Sequence, residues 1–170
     1  MAQDPATEEE LHRLAQAVAS SLRGRGQRLA VAESCTGGLV GKVLTDLPGS
    51  SQWFEGGLIT YSNAAKQGLL GVPAELLAQA GAVSAEAVMA MASGLLVRMQ
   101  AEWTLAVSGI AGPDGGTADK PVGTVWIGWA GRDLAPTASR FRFDGDRASV
   151  RRAAAANALR GLVDLLADDQ

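Results

Sequence analysis

The sequence predicts an α/β protein, a three-layer α/β/α sandwich around a mixed central sheet. Short apolar runs of strand type alternate with amphipathic helical stretches through the first two thirds of the chain, which calls for helices on both faces of a sheet. The last third holds two successive strand-like runs joined by Gly131-Arg132-Asp133. Such a hairpin makes part of the sheet antiparallel. The 170 residues, 47% hydrophobic and 19% charged, suffice for a packed core of ordinary globular composition. With no internal repeat, low-complexity tract or linker, residues 1–170 read as a single domain, with residues 1–7 as a loose leader.

Each element has its own signal. Thr7 can cap a helix whose first turn carries Glu8, Glu9 and Glu10, followed by Leu11, Leu14, Ala15, Val18, Ala19 and Leu22 at helical spacing and closed by Gly24 and Gly26. Leu29 to Ala32 is a short buried strand. The turn Glu33-Ser34-Cys35-Thr36-Gly37-Gly38 then opens a helix over 37–47, for which Thr36 is the expected cap. Trp53 to Tyr61 reads as a strand interrupted at Gly56-Gly57. Ser62 or Asn63 caps a short helix carrying Lys66 near its start, where a cation suits the helix dipole poorly. Val72-Pro73 opens a helix to about Ala80. Ser84 caps a longer one, in which Met91 and Met99 fill the core. Trp103 to Val107 is a buried strand that runs into the irregular loop Ser108 to Thr117. Strands over Val122–Ala130 and Ala135–Phe143 follow, and a last helix starts near Arg147.

Composition excludes some functions. A net charge of −3 and a pI near 5.1 with scattered basic residues give no basic stripe for nucleic acid. No apolar run reaches membrane-span length. A single cysteine, Cys35, cannot form an internal disulfide, which fits the cytoplasm. Neither signal peptide nor metal-ligand spacing is visible, and no cofactor is implied.

The chemistry concentrates between Ala32 and Lys66. An acyl-transfer site needs a nucleophile, an activating base and oxyanion donors. Candidate nucleophiles are Ser34, Cys35, Ser50, Ser51 and Ser108. The lone histidine, His12, sits on the outer face of the first helix and reads as solvated. That leaves lysine as base. Lys42 and Lys120 read as solvated, whereas Lys66 lies just beyond Tyr61. The expected constellation is Ser51 with Lys66, with Tyr61 passing or orienting the proton. A surface amine for Lys66 and an amphipathic strand end for Tyr61 are the plain alternatives. The strand–glycine–helix turn at Thr36, Gly37 and Gly38 is either an anion site or simply a tight turn. Arg147 could clamp a phosphate or pair with Asp144 and Asp146.

The segments AESCTGG, GSSQWFEGGLITYSNAAK and VSGIAGPDGGTADKPVGTVWIGWA resemble the C-terminal domain family of the competence/damage-inducible protein CinA, the nicotinamide-nucleotide amidohydrolases. The likeness runs from about Leu11 to Leu165. It implies an α/β/α sandwich that uses no metal and tends to form homo-oligomers. It also implies hydrolysis of the carboxamide of nicotinamide mononucleotide to nicotinate mononucleotide and ammonia. By motif it implies Ser51 as nucleophile, Tyr61 and Lys66 as its activating partners, and Ser34 and Ser108 as substrate-site hydroxyls. Arg147 would be the basic residue reaching the substrate, with Arg151 close enough to compete. Thr36, Gly37, Gly38, Gly109 and Gly112 complete the expected substrate-binding set. The other expectation is a non-catalytic nucleotide-binding module serving competence or the DNA-damage response. It would keep the glycine loops and leave Ser51 and Lys66 apart and solvated.

Overall fold

Side-chain caps place most of the helices. In the computed structural model, which describes residues 6–169, the Thr7 hydroxyl accepts the Glu10 N–H and starts helix α1 (Glu8–Arg25). Gly26 ends it in the left-handed conformation. Most of the expected leader, residues 1–5, lies outside the described residues. Strand β1 (Leu29–Glu33) is buried throughout, helix α2 spans Leu39–Thr45, and a 3-10 turn over Ser50–Gln52 leads into β2 (Phe54–Ile59). Ser62 caps α3 (Asn63–Leu70), Pro73 precedes α4 (Ala74–Ala80), and Ser84 caps α5 (Ala85–Arg98). Strands β3 (Trp103–Gly109), β4 (Thr124–Gly131) and β5 (Leu134–Arg142) follow, and Asp146 caps the long α6 (Arg147–Asp168).

The sheet order is β2-β1-β3-β4-β5. β1 runs parallel to both neighbours, and β3, β4 and β5 pair antiparallel in turn. Strand alternation sorts the two cores. Leu29, Val31, Leu105 and Val107 enter the core shared with α1, α2 and α6. Ala30, Ala32, Ala106 and Ala130 enter the one shared with α3, α4 and α5. The small residues on that second face let α5 come close. A Cβ added at Gly94 would lie 1.9 Å from the Leu70 carbonyl oxygen. α5 and the end of α3 therefore touch backbone to backbone, which fixes the helix that carries Lys66. No described helix is long and apolar enough to cross a membrane.

Two expectations change. Helix α2 is shorter than 37–47, and its cap is not Thr36: the cap position is Gly38, at φ +100°, and the helix amides are taken by the Glu33 carboxylate. Gly56-Gly57 does not break β2, because a bulge at Glu55 absorbs the irregularity. Gly57 instead lets the edge strand lie against β1, since a Cβ there would sit 2.7 Å from the Val31 side chain.

Candidate active site

Because β1, β2 and β3 run the same way, their carboxyl ends share one edge of the sheet. Open α/β sheets bind ligands at that edge. There β1 delivers Ser34, β2 delivers Thr60 and Tyr61, and β3 delivers Ser108. The loop after β3 and the first turn of α6 close over them. The open-mouthed cavity measures about 290 Å³ and is lined by Ser34, Tyr61, Lys66, Ser108, Gly112 and Arg147, among others.

Lys66 is the unusual group. Its side chain is 1% exposed. Nζ donates to Ser34 Oγ at 3.1 Å, to the Thr60 carbonyl at 2.8 Å and to the Tyr61 carbonyl at 3.2 Å. None of the carboxylates among the described residues pairs with it. Burial without a counter-ion disfavours the charged form and lowers its pKa below the ordinary lysine value. A lysine so placed can lose its proton more readily than a surface lysine. Its two carbonyl acceptors then hold the neutral amine, with its lone pair free for the Ser34 hydroxyl.

The neighbouring groups are graded by depth. Ser108 is buried beneath the cavity. The Tyr61 ring is 61% exposed, and its phenol oxygen accepts from Arg147 Nη2 at 3.3 Å. Arg147 Nη1 donates to the Gly112 carbonyl at 2.8 Å, so one guanidinium joins the strand end to the loop. Arg151 turns away and donates to the Thr36 carbonyl at 2.8 Å. This separates the two arginines that the sequence left in competition. Cys35 also faces the cavity, but burial pushes its thiol up to about 11, and it stays protonated and unreactive at neutral pH.

Ser51 is not part of this group. It is exposed on the 3-10 turn. Two residues on, the Trp53 carbonyl accepts the Leu29 N–H at the amino end of β1. Lys66 follows the opposite end of β2, a strand of six residues, about 20 Å at the usual rise. The expected Ser51–Lys66 pair is therefore not formed, and Ser34 meets the lysine instead. The anion site expected at Thr36, Gly37 and Gly38 is also filled from within. Glu33 Oε2 accepts the Gly38 and Val40 N–H groups at 3.0 and 3.1 Å, and Oε1 accepts the Gly41 N–H at 2.8 Å. These three residues do not line the cavity, whereas Gly109 and Gly112 do. Among the described residues, no group of three or more potential ligands is placed to hold a metal ion.

The model of the CinA C-terminal domain family matches residues 11–166. The chain belongs to the CinA C-terminal domain family. It is 51% identical over 156 residues to the nicotinamide-nucleotide amidohydrolase PncC of Escherichia coli (strain K12), covering 92% of this chain and 94% of that protein. To the protein of the same name from Pseudomonas putida it is 49% identical over 152 residues, covering 89% and 94%. Among solved structures, it superposes on the competence/damage inducible protein CihA of Agrobacterium tumefaciens with a TM-score of 0.90 at 38% identity, covering 97% and 99% of the two chains. It matches the competence damage-inducible protein A of Klebsiella pneumoniae equally well, at 41% identity and 94% and 99% coverage.

In this member of the CinA C-terminal domain family, sequence reasoning found Lys66, Tyr61, Ser108, Gly109, Gly112 and Arg147 at the cavity. It placed Ser34 there too, but as a substrate contact. It missed Glu33, which lies behind the cavity, whereas Asp114 and Gly115 belong to the loop after β3 that the sequence did mark. Glu33 carried a legible signal: in a buried strand, a carboxylate on the same face as Leu29 and Val31 must find internal donors.

Proposed function

We propose that this chain hydrolyses the carboxamide of nicotinamide mononucleotide to nicotinate mononucleotide and ammonia, with Ser34 as nucleophile and Lys66 as its base. The observation that carries this reading is the 3.1 Å contact between Lys66 Nζ and Ser34 Oγ, made by a buried lysine without a counter-ion inside a cavity. Neutral Lys66 takes the hydroxyl proton as Ser34 Oγ attacks the carboxamide carbon. The Cys35 and Thr36 amides follow the nucleophile and, among the described residues, donate to no other backbone carbonyl. They are the proposed oxyanion donors. The resulting lysine ammonium gives its proton to the departing nitrogen, which leaves as ammonia. Lys66, neutral again, takes a proton from water as that water attacks the nicotinoyl ester. Ser34 recovers its proton from Lys66, and the carboxylate product leaves.

The rest of the substrate fits the cavity's outer parts. Arg147 and the loop amides of Gly112, Asp114 and Gly115, which have no backbone acceptor among the described residues, are the proposed phosphate end. Tyr61 stands between the two ends. The related proteins named nicotinamide-nucleotide amidohydrolases support the substrate. The non-catalytic alternative expects Ser51 and Lys66 apart and solvated. Ser51 satisfies that, but a lysine buried on a serine hydroxyl argues for chemistry. We also propose cytoplasmic location and self-association, the latter tested by sedimentation.

The test is ammonia release from nicotinamide mononucleotide by purified protein. Ammonia and nicotinate mononucleotide in equal amounts are expected. Tight nucleotide binding with no ammonia released would replace the proposal with the binding-module reading.

A further inference from the structure

We propose that Glu33 is a positioning residue for the Ser34–Lys66 pair. Its carboxylate ties the far side of the Ser34–Gly38 turn and so sets where the serine oxygen meets the lysine nitrogen. The inference rests on the Ser34–Lys66 reading above.

The caps of the other helices show why Glu33 is different. Thr7, Ser62, Ser84 and Asp146 each accept one N–H from three residues downstream, at the immediate start of their helices. Glu33 instead reaches five, seven and eight residues ahead, to Gly38, Val40 and Gly41. Side chain and helix thus close a ring around Ser34, Cys35, Thr36 and Gly37. Glu33 is 2% exposed, and no cation among the described residues pairs with it. A carboxylate is a costly choice for a buried cap, and it is matched here by amide donors on both oxygens.

The backbone of the same residue points at the other half of the pair. The Glu33 carbonyl accepts the Thr60 N–H at 2.8 Å, and the Thr60 carbonyl accepts from Lys66 Nζ at 2.8 Å. The Ser34 N–H donates to the Val107 carbonyl at 3.0 Å. Alternation along β1 sends the Glu33 side chain toward α2 and the next residue, Ser34, toward α3. One residue therefore anchors the nucleophile's turn with its side chain and the base's acceptor with its carbonyl. A displacement of about 1 Å in a reacting pair is enough to cost roughly 100-fold in rate.

Glu33→Gln tests this. It keeps the volume and one acceptor oxygen but sets an NH2 group against an amide donor. Four quantities are compared with wild type: kcat and KM for nicotinamide mononucleotide, the rate at which a fluorophosphonate labels Ser34, the Kd of nicotinate mononucleotide, and the melting temperature. The expected result is that kcat and the labelling rate fall together by roughly 10- to 100-fold, while KM and product Kd stay within about twofold. Should the variant not accumulate as folded protein, Glu33→Asp, which withdraws the carboxylate by about one bond length, is measured with the same expected split. An unchanged kcat overturns the inference. So does a joint loss of kcat, product affinity and melting temperature, which marks plain support of the fold. Wild type that is not labelled at Ser34 overturns the Ser34–Lys66 reading itself, and the inference with it.

Discussion

Lys66→Met removes the ammonium and keeps most of the buried stem. Three hydrogen bonds disappear, to Ser34 Oγ, the Thr60 carbonyl and the Tyr61 carbonyl. Loss of a general base costs roughly 100- to 10,000-fold, and kcat should fall by that factor. KM should hold, because the proposed phosphate contacts lie elsewhere. Stability should change less than the lost bonds suggest. Two carbonyls are left without this donor, at about 1–3 kcal/mol each, while the unfavourable burial of an unpaired ammonium is relieved. The sharper signature is in pH. Folding lowers the Lys66 pKa through burial, so between that lowered value and the ordinary lysine value the unfolded chain binds the extra proton. Wild-type stability therefore rises with pH across that window, by at most about 1.4 kcal/mol per unit for one proton. Below the window both states are protonated and the term is constant. Urea unfolding of wild type and Lys66→Met in parallel, in steps from pH 7 to the lysine range, reads the difference directly. Other titrating groups cancel in it. In the same direction, kcat/KM of wild type should climb with pH as free Lys66 loses its proton. A stability difference that is flat, or that falls as pH rises, refutes a lysine destabilised by burial and with it the base assignment.

Two further outcomes follow from the contacts. Arg147→Lys cannot hold both the Gly112 carbonyl and the Tyr61 phenol. A point charge in place of the fork should raise KM by roughly tenfold with a smaller effect on kcat, read from initial rates. Gly94→Ala drives a methyl into the Leu70 carbonyl, 1.9 Å away. It should lose at least about 1–3 kcal/mol in urea unfolding and lower activity by shifting α3.

Much of the fold was legible because its signals are local. Thr7, Ser62 or Asn63, and Ser84 announce helix starts, Gly26 announces an end, and the hairpin after Gly131 makes the sheet mixed. Lys66 was legible by elimination, since the one histidine lies on an outer helix face. The partner of Lys66 was harder to read, because Ser34 and Lys66 are 32 residues apart and Ser51 is nearer in sequence. Proximity along the chain misleads when a full strand intervenes. Topology would have corrected it: parallel β1 and β2 end on one edge, so the residue after β1 faces the residues after β2, while a residue before β2 sits at the other edge. The glycine turn misled for another reason. Its pattern does describe a helix start seeking an anion, but the chain supplies that anion from Glu33, whose place on the buried face of β1 was the sign that it needed internal donors.

The proposed reaction has Ser34, not Ser51, as the nucleophile that Lys66 activates. Ammonia release measured side by side for Ser34→Ala and Ser51→Ala is its most direct test. Ser34→Ala is expected to lose at least about 1,000-fold in kcat, and Ser51→Ala, exposed at the opposite edge of the sheet, to stay within about twofold of wild type. Near-normal turnover in Ser34→Ala, or loss of turnover in Ser51→Ala with the fold intact, would contradict it.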